Sequence, residues 1–352
     1  MHTTLKADWC RYTLDFRFTA ITSRERMDRK DTYYIKLCHP GSDTLCGLGE
    51  AGLFRGLSCD DRPDYEQKLA EVCGDIGRYA SDPSLLADWP SIRFAVETAV
   101  RDLANGGRHI IFPSRWAAGQ TAITINGLVW MGDRSLMSER IAEKLAAGFS
   151  CVKVKIGGID FDDELSLLRF IRREAPAVTL RLDANGAFTP ADAPGKLRRL
   201  AEFDIHSIEQ PIRAGQWEAM GRLCHTSPIP IALDEELIGI NTPGRKSAML
   251  DAIRPQFIIL KPTLTGGFAA SEEWIRLAAE RGCGWWATSA LESNIGLNAI
   301  AQWVATLSPS MPQGLGTGQL YHNNIPSPLT LDGDRLSYSP AGEWSIPPLQ
   351  WQ

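Results

Sequence analysis

The segment Cys151–Glu174, CVKVKIGGIDFDDELSLLRFIRRE, places a short β-type run directly before a helical stretch. The run covers Cys151–Ile156 and the helical pattern covers Phe161–Glu174. A strand, a helix and two loops fit within an interval of roughly 25 to 30 residues. Because similar units return along the chain, the segment predicts a repeated β/α architecture.

Short β-rich runs recur from about Thr121 onward. They cover Ala122–Ile125, Cys151–Ile156, Val178–Leu182, Ser207–Glu209, Ile229–Leu233, Phe257–Leu260, Gly284–Ala287 and, weakly, Gln313–Gly316. Helices are predicted between them, including Asp133–Ala147, Phe161–Glu174, Gly215–Cys224 and Ala269–Arg281. Gly148 and Gly282 stand where helix ends favour a left-handed residue. No GxGxxG follows the first run, so the pattern favours a parallel β/α barrel over a dinucleotide-binding open sheet.

The first hundred residues have a different pattern. Arg11–Ala20 alternates partly as a strand, and a turn joins the β-like runs Thr32–Cys38 and Leu45–Ala51. Helical patterns follow at Pro63–Tyr79 and Ser91–Leu103. These elements predict a small α+β domain that precedes the barrel.

Composition excludes several classes of protein. The formal net charge of −5 offers no basic surface for nucleic acid or anionic membranes. No apolar run reaches the ~20 residues of a membrane span, and Met1–Cys10 lacks the apolar core of a signal peptide. The eight cysteines form no CxxC pair. We therefore expect reduced thiols in a cytoplasmic protein.

Chemically reactive residues stand at, or one residue past, the ends of successive β-rich runs. They follow one another at intervals of 25 to 28 residues: Lys155, Asp183, Glu209, Asp234, Lys261 and Ser289. A parallel barrel delivers such residues to the face formed by the carboxyl ends of its strands, where active sites lie. The spacing therefore predicts a single site.

Three of these residues are acids, and three buried carboxylates need a compensating charge. A hard divalent cation supplies it, and an all-carboxylate set favours Mg²⁺ over zinc. Lys153 and Lys155 share one face of their strand because side chains two residues apart point the same way. A lysine close to other cations has a lowered pKa, which would suit a general base.

Five ordered motifs resemble the lysine-type, muconate-lactonizing-enzyme-like subgroup of the enolase superfamily. They are Lys153-Val-Lys155, Arg181-Leu-Asp183-Ala-Asn185-Gly, Ile208-Glu209-Gln210-Pro211, Leu233-Asp234-Glu235 and Leu260-Lys261-Pro262. The resemblance covers essentially the whole chain. It implies a modified (β/α)7β TIM-like barrel at 111–318 with its active site at the strand C-terminal ends, an N-terminal α+β capping domain at 1–110, and a C-terminal segment, 319–352, that returns to the cap.

The resemblance also implies roles for the site residues. Asp183, Glu209 and Asp234 would bind Mg²⁺. The ion would hold a substrate carboxylate and stabilise the enediolate formed when Lys155 removes the α-proton, chemistry for which this superfamily is a standard example. Lys153 would support Lys155, and Lys261 would act as a second base or as a stabilising cation. Asn185 and Glu235 would orient the ligands.

The last strand ends resemble those of dehydratases in the subgroup that form an aromatic acid with a succinyl side chain. The resemblance rests on residues 288–297 and 314–318. It implies a small-molecule carboxylate substrate whose second carboxylate is held by Ser289, Gly316 and Thr317, although 316–318 also fits a plain tight turn. The segment Thr22–Asp31, with Arg24, Arg26 and Arg29, would be a mobile lid, and Thr22 and Met27 are further possible contacts.

Other functions share parts of this pattern. An N-acylamino acid racemase would use the same acids and both lysines. A dipeptide epimerase is disfavoured because residues 314–318 contain no acid to bind an amine. A non-catalytic binding barrel predicts the loss of a lysine or an acid, and a pyridoxal enzyme built on Lys261 leaves the acids without a role. The sequence predicts no nucleic-acid or membrane partner and leaves the oligomeric state open.

Overall fold

The computed structural model describes residues 5–21, 26–41 and 45–352. Its N-terminal part is an antiparallel sheet covered by helices. The strands are β1 (Lys6–Ile21), β2 (Arg26–Cys38) and β3 (Cys46–Ala51), in the order β1-β2-β3. The helices are α1 (Tyr65–Gly74), α2 (Ile76–Ser81) and α3 (Pro90–Ala104), with a 3₁₀ turn at Pro83–Leu86. This is the α+β domain that the sequence predicts, and we call its strands the capping sheet.

Two elements of this domain differ from expectation. The helix predicted at Pro63–Tyr79 is two helices, because Asp75 leaves the helical region with φ −128° and ψ 42°. Arg26, Met27 and Arg29, expected in a lid, belong to β2, whose first residues pair with the end of β1. Thr22 and Arg24 lie outside the described residues.

The second part of the chain is a curled parallel sheet surrounded by helices. After β4 (Ile123–Thr124), its seven strands are β5 (Gly127–Val129), β6 (Cys151–Lys155), β7 (Thr179–Asp183), β8 (Ser207–Glu209), β9 (Ile231–Leu233), β10 (Phe257–Leu260) and β11 (Gly284–Ala287), adjacent in chain order. The helices are α4 (Arg134–Ala146), α5 (Phe161–Glu174), α6 (Ala193–Leu200), α7 (Trp217–Thr226), α8 (Pro243–Ile253), α9 (Pro262–Thr265), α10 (Gly267–Ala279) and α11 (Asn294–Leu307). Parallel bridges from Gln313 to Ile125 and from Gly314 to Thr288 close the ring. The fold is an α/β TIM-like barrel with a capping domain.

The two ends of the barrel sheet were predicted less well than its middle. The run Ala122–Ile125 contains β4, which pairs instead with β13 (Arg335–Tyr338), next to β12 (Leu329–Asp332). The first barrel strand is β5, which begins at a glycine and was missed. The eighth position is reduced to the two bridges. Gly314 must lack a side chain, because a Cβ there would lie 2.1 Å from Thr288 Oγ1.

The expectation that all cysteines are reduced is wrong for one pair. Cys38 and Cys46 form a disulfide, and the other six cysteines are free. The antiparallel register of β2 and β3 places these two residues directly opposite each other, with their Cα atoms 4.4 Å apart. Register is a tertiary property that cysteine spacing does not reveal.

The C-terminal residues pack against the capping sheet. Trp9 and Gln352 exchange two backbone hydrogen bonds, of 3.3 and 2.8 Å. Phe16 of β1 forms a bridge with Tyr321, and Lys36 Nζ lies 4.7 Å from the centre of the Trp351 ring. Across the described ranges, no helix combines the length and the apolar character needed to cross a bilayer.

A cationic and aromatic cluster fills the barrel at the opposite end from the strand C-termini. The guanidinium of Arg181 lies 3.9 Å from the centre of the Trp286 ring. His206 stacks on Phe257 with ring centroids 5.2 Å apart, and its Nδ1 hydrogen-bonds the Ser207 hydroxyl at 2.9 Å. Burial, followed by repulsion from Arg181, lowers the pKa of His206 to about 4. The folded protein therefore keeps this imidazole neutral.

We predict that His206→Asn makes the protein less sensitive to mild acid. An unfolded histidine has a pKa of ~6.5. Between pH 6.5 and about 4, this histidine is therefore protonated in the unfolded chain but neutral in the folded protein. The stability due to neutral His206 is complete above pH 6.5 and decreases as the pH falls. The melting temperature of His206→Asn should therefore fall less between pH 7 and 5 than that of the parent. His225→Asn is the control, and equal slopes for all three proteins would contradict the prediction.

Candidate active site

The predicted site residues meet at the carboxyl end of the barrel. Lys155, Asp183 and Glu209 are the last residues of β6, β7 and β8, and the parallel register aligns Lys155 with Asp183 and Asp183 with Glu209. Asp234 and Lys261 directly follow β9 and β10. Asp183, Glu209 and Asp234 are each exposed by 2% or less. Adjacent strand ends thus bring buried groups of both charges together.

Lys153 links two of the acids. Its Nζ donates to Asp183 Oδ2 at 3.3 Å and to Glu209 Oε2 at 3.1 Å. Burial alone would lower the pKa of Lys153, but attraction to Glu209, Asp183 and Asp234 outweighs it and raises the pKa. Lys153 is therefore a fixed positive charge beneath the site.

Lys155 is oriented by two acceptors. Its Nζ donates to Asp183 Oδ2 at 2.9 Å and to Asn185 Oδ1 at 2.7 Å. Asn185 in turn donates to Glu235 Oε1 at 3.0 Å. The same ammonium lies 5.7 Å from the centre of the Trp130 ring. Asn185 and Glu235 thus form the supporting chain that the motifs predict, while their part in the chemistry stays a prediction.

Lys261 faces the site from the other side. It lies after β10, four strand positions from β6, which is half-way around an eight-membered ring. Its Nζ donates to Asp234 Oδ2. Burial lowers the pKa of Lys261, but Asp234, Glu209 and Glu235 outweigh that effect and raise it. The lowered lysine pKa expected from the sequence is therefore wrong for Lys153 and Lys261, because carboxylates rather than cations dominate their surroundings.

The acids differ in proton affinity. Burial, then repulsion from Asp183, raises the pKa of Glu209 to about 8 despite the opposing effect of Lys153. The pKa of Asp183 lies below its usual range, because attraction to Lys155 and Lys153 exceeds the cost of burial. Glu209 is therefore the acid of the three whose negative charge is held least favourably by its surroundings.

These residues fit a hard divalent cation in donor chemistry and in charge. Their donors are all oxygens, and added positive charge would offset the repulsion from Asp183 that, after burial, raises the Glu209 pKa. Their present geometry is that of carboxylates paired with lysines. In the described part of the chain, no three His, Cys, Asp or Glu side chains are arranged as a ready-made metal cluster.

A cavity lies above these groups, between the barrel and the segment that follows β3. Its polar wall contains both candidate bases, Lys155 and Lys261. Its apolar wall is formed by Phe54, Leu57, Leu128, Trp130, Leu264, Ala290 and Leu291. The cavity thus places an apolar surface beside two cationic side chains, which suits a carboxylate with a hydrophobic body.

The predicted substrate-binding residues also reach the cavity. Ser289, Gly316 and Thr317 line it. The Ser289 hydroxyl donates to Glu292 Oε2 at 2.6 Å and accepts from the Thr317 hydroxyl at 2.8 Å. Because both hydroxyl hydrogens are used within the protein, these side chains shape the wall rather than offer free donors. Contact with substrate stays a prediction for all three residues.

Sequence reasoning assigned no role to Glu292, although it lies within the 288–297 motif. Glu292 is fully buried and accepts hydrogen bonds from the Thr263 hydroxyl, the Ser289 hydroxyl and the Ala290 amide. The only signal in the sequence was an acid within an otherwise uncharged segment. Glu292 fixes the turn that carries Ser289 and Ala290 into the cavity wall.

Comparison with known proteins agrees with this geometry. Residues 136–339 match the family described as enolase C-terminal domain-like. An o-succinylbenzoate synthase from Desulfotalea psychrophila (strain LSv54 / DSM 12343) is 46% identical over 371 aligned positions, which cover 95% of this chain and 99% of that protein.

Solved structures show the same architecture. The crystal structure of MenC from Desulfotalea psychrophila LSv54 has a TM-score of 0.82 and 45% identity, covering 95% of this chain and 99% of that one. A dipeptide epimerase from Enterococcus faecalis V583, complexed with Mg and the dipeptide L-Leu-L-Tyr, has a TM-score of 0.82 at 18% identity, covering 96% and 98%. The second likeness concerns the fold alone.

Proposed function

This chain belongs to the enolase superfamily, and we propose that it is an o-succinylbenzoate synthase. As such it is a carbon–oxygen lyase that removes water from 2-succinyl-6-hydroxy-2,4-cyclohexadiene-1-carboxylate. The observation that carries the proposal is a pair of lysines, Lys155 and Lys261, on opposite walls of one cavity above three buried acids. The likeness to the Desulfotalea enzyme along 95% of the chain selects the substrate.

Lys155 is the proposed base. As a neutral amine it takes the proton from the carbon next to the carboxylate, and the electrons of the broken C–H bond move toward that carboxylate. Expulsion of hydroxide from the neighbouring carbon then makes the ring aromatic. Lys155 returns its proton to the hydroxide, so the net reaction is the loss of one water. Hydrogen bonds to Asp183 and Asn185 orient Nζ for both transfers.

Two other lysines act as charges. Lys261 remains an ammonium because its carboxylate neighbours raise its pKa, and it stabilises the negative charge that develops across the cavity from Lys155. Lys153 neutralises Asp183 and Glu209 from below. Asp183, Glu209 and Asp234 would hold Mg²⁺, which supplies positive charge beside the substrate carboxylate.

The direct test is formation of o-succinylbenzoate by the purified protein in the presence of Mg²⁺. We expect turnover of the cyclohexadiene carboxylate, followed by the appearance of the aromatic product, and none after treatment with a chelator. A protein that binds Mg²⁺ and leaves this substrate unchanged would overturn the proposal.

An N-acylamino acid racemase is the second candidate. Lys155 and Lys261 face the cavity from opposite sides, the arrangement that inversion at one carbon requires. Incubation of N-succinyl amino acids in deuterium oxide tests this candidate. Deuterium at the α-carbon with no o-succinylbenzoate formation would favour the racemase, whereas both reactions together would show one site with two activities.

The proposal includes the setting of the reaction. We place the enzyme in the cytoplasm, in menaquinone biosynthesis, acting on a small-molecule dicarboxylate without a nucleic-acid or membrane partner. The support is the likeness to o-succinylbenzoate synthases and the acidic net charge of −5.

A further inference from the structure

Leu291 has an unusual backbone conformation at the cavity wall. Its φ of 63° lies in the left-handed region, which non-glycine residues rarely occupy. Its side chain is 7% exposed and packs in one apolar cluster with Trp130 and Leu264, two other residues of the wall. Such strain persists only where the surroundings hold it, and it concentrates at functional sites.

Hydrogen bonds hold both sides of this residue. The Leu291 amide donates to Ser289 Oγ at 3.0 Å, and the Tyr321 hydroxyl donates to the Leu291 carbonyl at 2.7 Å. Tyr321 is 1% exposed. The tyrosine therefore fixes the peptide that directs Leu291 into the wall.

Tyr321 is itself tied to the capping sheet. Its ring lies 4.7 Å from that of Phe16, centre to centre, and its carbonyl accepts from Arg17 Nε at 3.1 Å. Backbone hydrogen bonds flank it on both sides, from Arg17 to Leu320 at 2.9 Å and from His322 to Asp15 at 2.9 Å. Strand β1 is thus linked to the Leu291 peptide through the Tyr321 hydroxyl.

We propose that Leu291 determines which carboxylates the cavity accepts, and that Tyr321 is the positioning residue that holds it there when the capping sheet is docked. The inference rests on the proposed function, because it concerns the body of that substrate. Leu291 forms a wall that suits the flat cyclohexadiene ring and excludes the larger side chains of bulky N-succinyl amino acids.

A double-mutant cycle separates positioning from general stability. In the parent, Tyr321→Phe should reduce kcat/KM for o-succinylbenzoate formation by about three- to tenfold, mainly through KM, because one buried hydrogen bond is lost. In a Leu291→Gly background the same change should have little effect, since glycine adopts a positive φ without help. Equal effects in both backgrounds would overturn the positioning role.

The Leu291 variants also test the specificity role, through the ratio of deuterium exchange to dehydration. Leu291→Gly and Leu291→Ala should both raise deuterium exchange of N-succinyl-phenylalanine relative to dehydration by about tenfold or more. Alanine, unlike glycine, is strained at the positive φ of position 291. Of the two variants, only Leu291→Ala should therefore lose further activity when Tyr321→Phe is added. Tyr338→Phe, which alters a tyrosine bonded to Trp344 instead, is the control and should leave the ratio unchanged. An unchanged ratio in both Leu291 variants would overturn the specificity role.

The outcome is distinguishable from failure of the proposed function. A parent protein that exchanges deuterium but forms no o-succinylbenzoate overturns that function. The double-mutant cycle can then still be measured with the rate of deuterium exchange in place of the rate of dehydration. Calorimetric binding of o-succinylbenzoate provides a reading that needs no turnover. There, Tyr321→Phe should weaken binding in the parent and not in Leu291→Gly.

Discussion

Replacing Lys155 with alanine is expected to reduce o-succinylbenzoate formation by about three orders of magnitude, the middle of the range for a general base. Lys155 Nζ is held by Asp183 and Asn185 at the cavity wall, and alanine leaves no group in its place. Deuterium exchange at the α-carbon of N-succinyl amino acids should disappear together with dehydration, because both reactions require proton transfer to Lys155. Both rates should be measured with saturating Mg²⁺.

Lys261→Ala is the matched comparison for this variant. It removes a lysine from the opposite wall while leaving Lys155 and its two acceptors unchanged. We expect slower dehydration in Lys261→Ala, with measurable exchange remaining, and circular dichroism should show that both variants are folded. A fully active Lys155→Ala enzyme would disprove the mechanism.

The second large effect is expected for Glu209→Gln. Glu209 lies between Asp183 and Asp234 on adjacent strand ends, so the change removes one of three charged oxygen donors. We expect activity at micromolar Mg²⁺ to fall by about two orders of magnitude or more, with partial recovery at millimolar Mg²⁺. The measurement is initial rate against Mg²⁺ concentration.

Glu273→Gln provides the control for this experiment. Glu273 is an acid on α10 that pairs with Lys246 at 2.7 Å, away from the cavity. Its loss should leave the Mg²⁺ dependence unchanged. If Glu209→Gln follows the same Mg²⁺ curve as the parent, Glu209 is not a ligand.

The middle of the barrel was predictable from sequence because each strand end carries a charged group at a nearly constant interval. A buried strand that stops at Asp183 or Glu209 indicates both its boundary and its inward face. The helix Phe161–Glu174 was predicted with its exact limits, since Asp160 caps its start and Ala175 leaves the helical conformation. Local chemistry therefore decided these elements.

Features that depend on distant partners were not predictable in the same way. β5 was missed because it consists of three residues that begin at Gly127 and depends on pairing with β6. The disulfide depends on strand register, and the raised pKa of Lys261 depends on which charges surround it. Leu291 is positioned by Tyr321, thirty residues away and anchored to the capping sheet.

The contact between Trp9 and Gln352 has a consequence for solution behaviour. β1 is an outer strand of the capping sheet, and an outer strand with free backbone groups can pair with another molecule. Two positions of β1 are already paired within the protein: Phe16 forms a β-bridge with Tyr321, and Trp9 exchanges backbone hydrogen bonds with Gln352. The C-terminal residues therefore protect the protein against edge-to-edge aggregation in addition to anchoring the cavity wall.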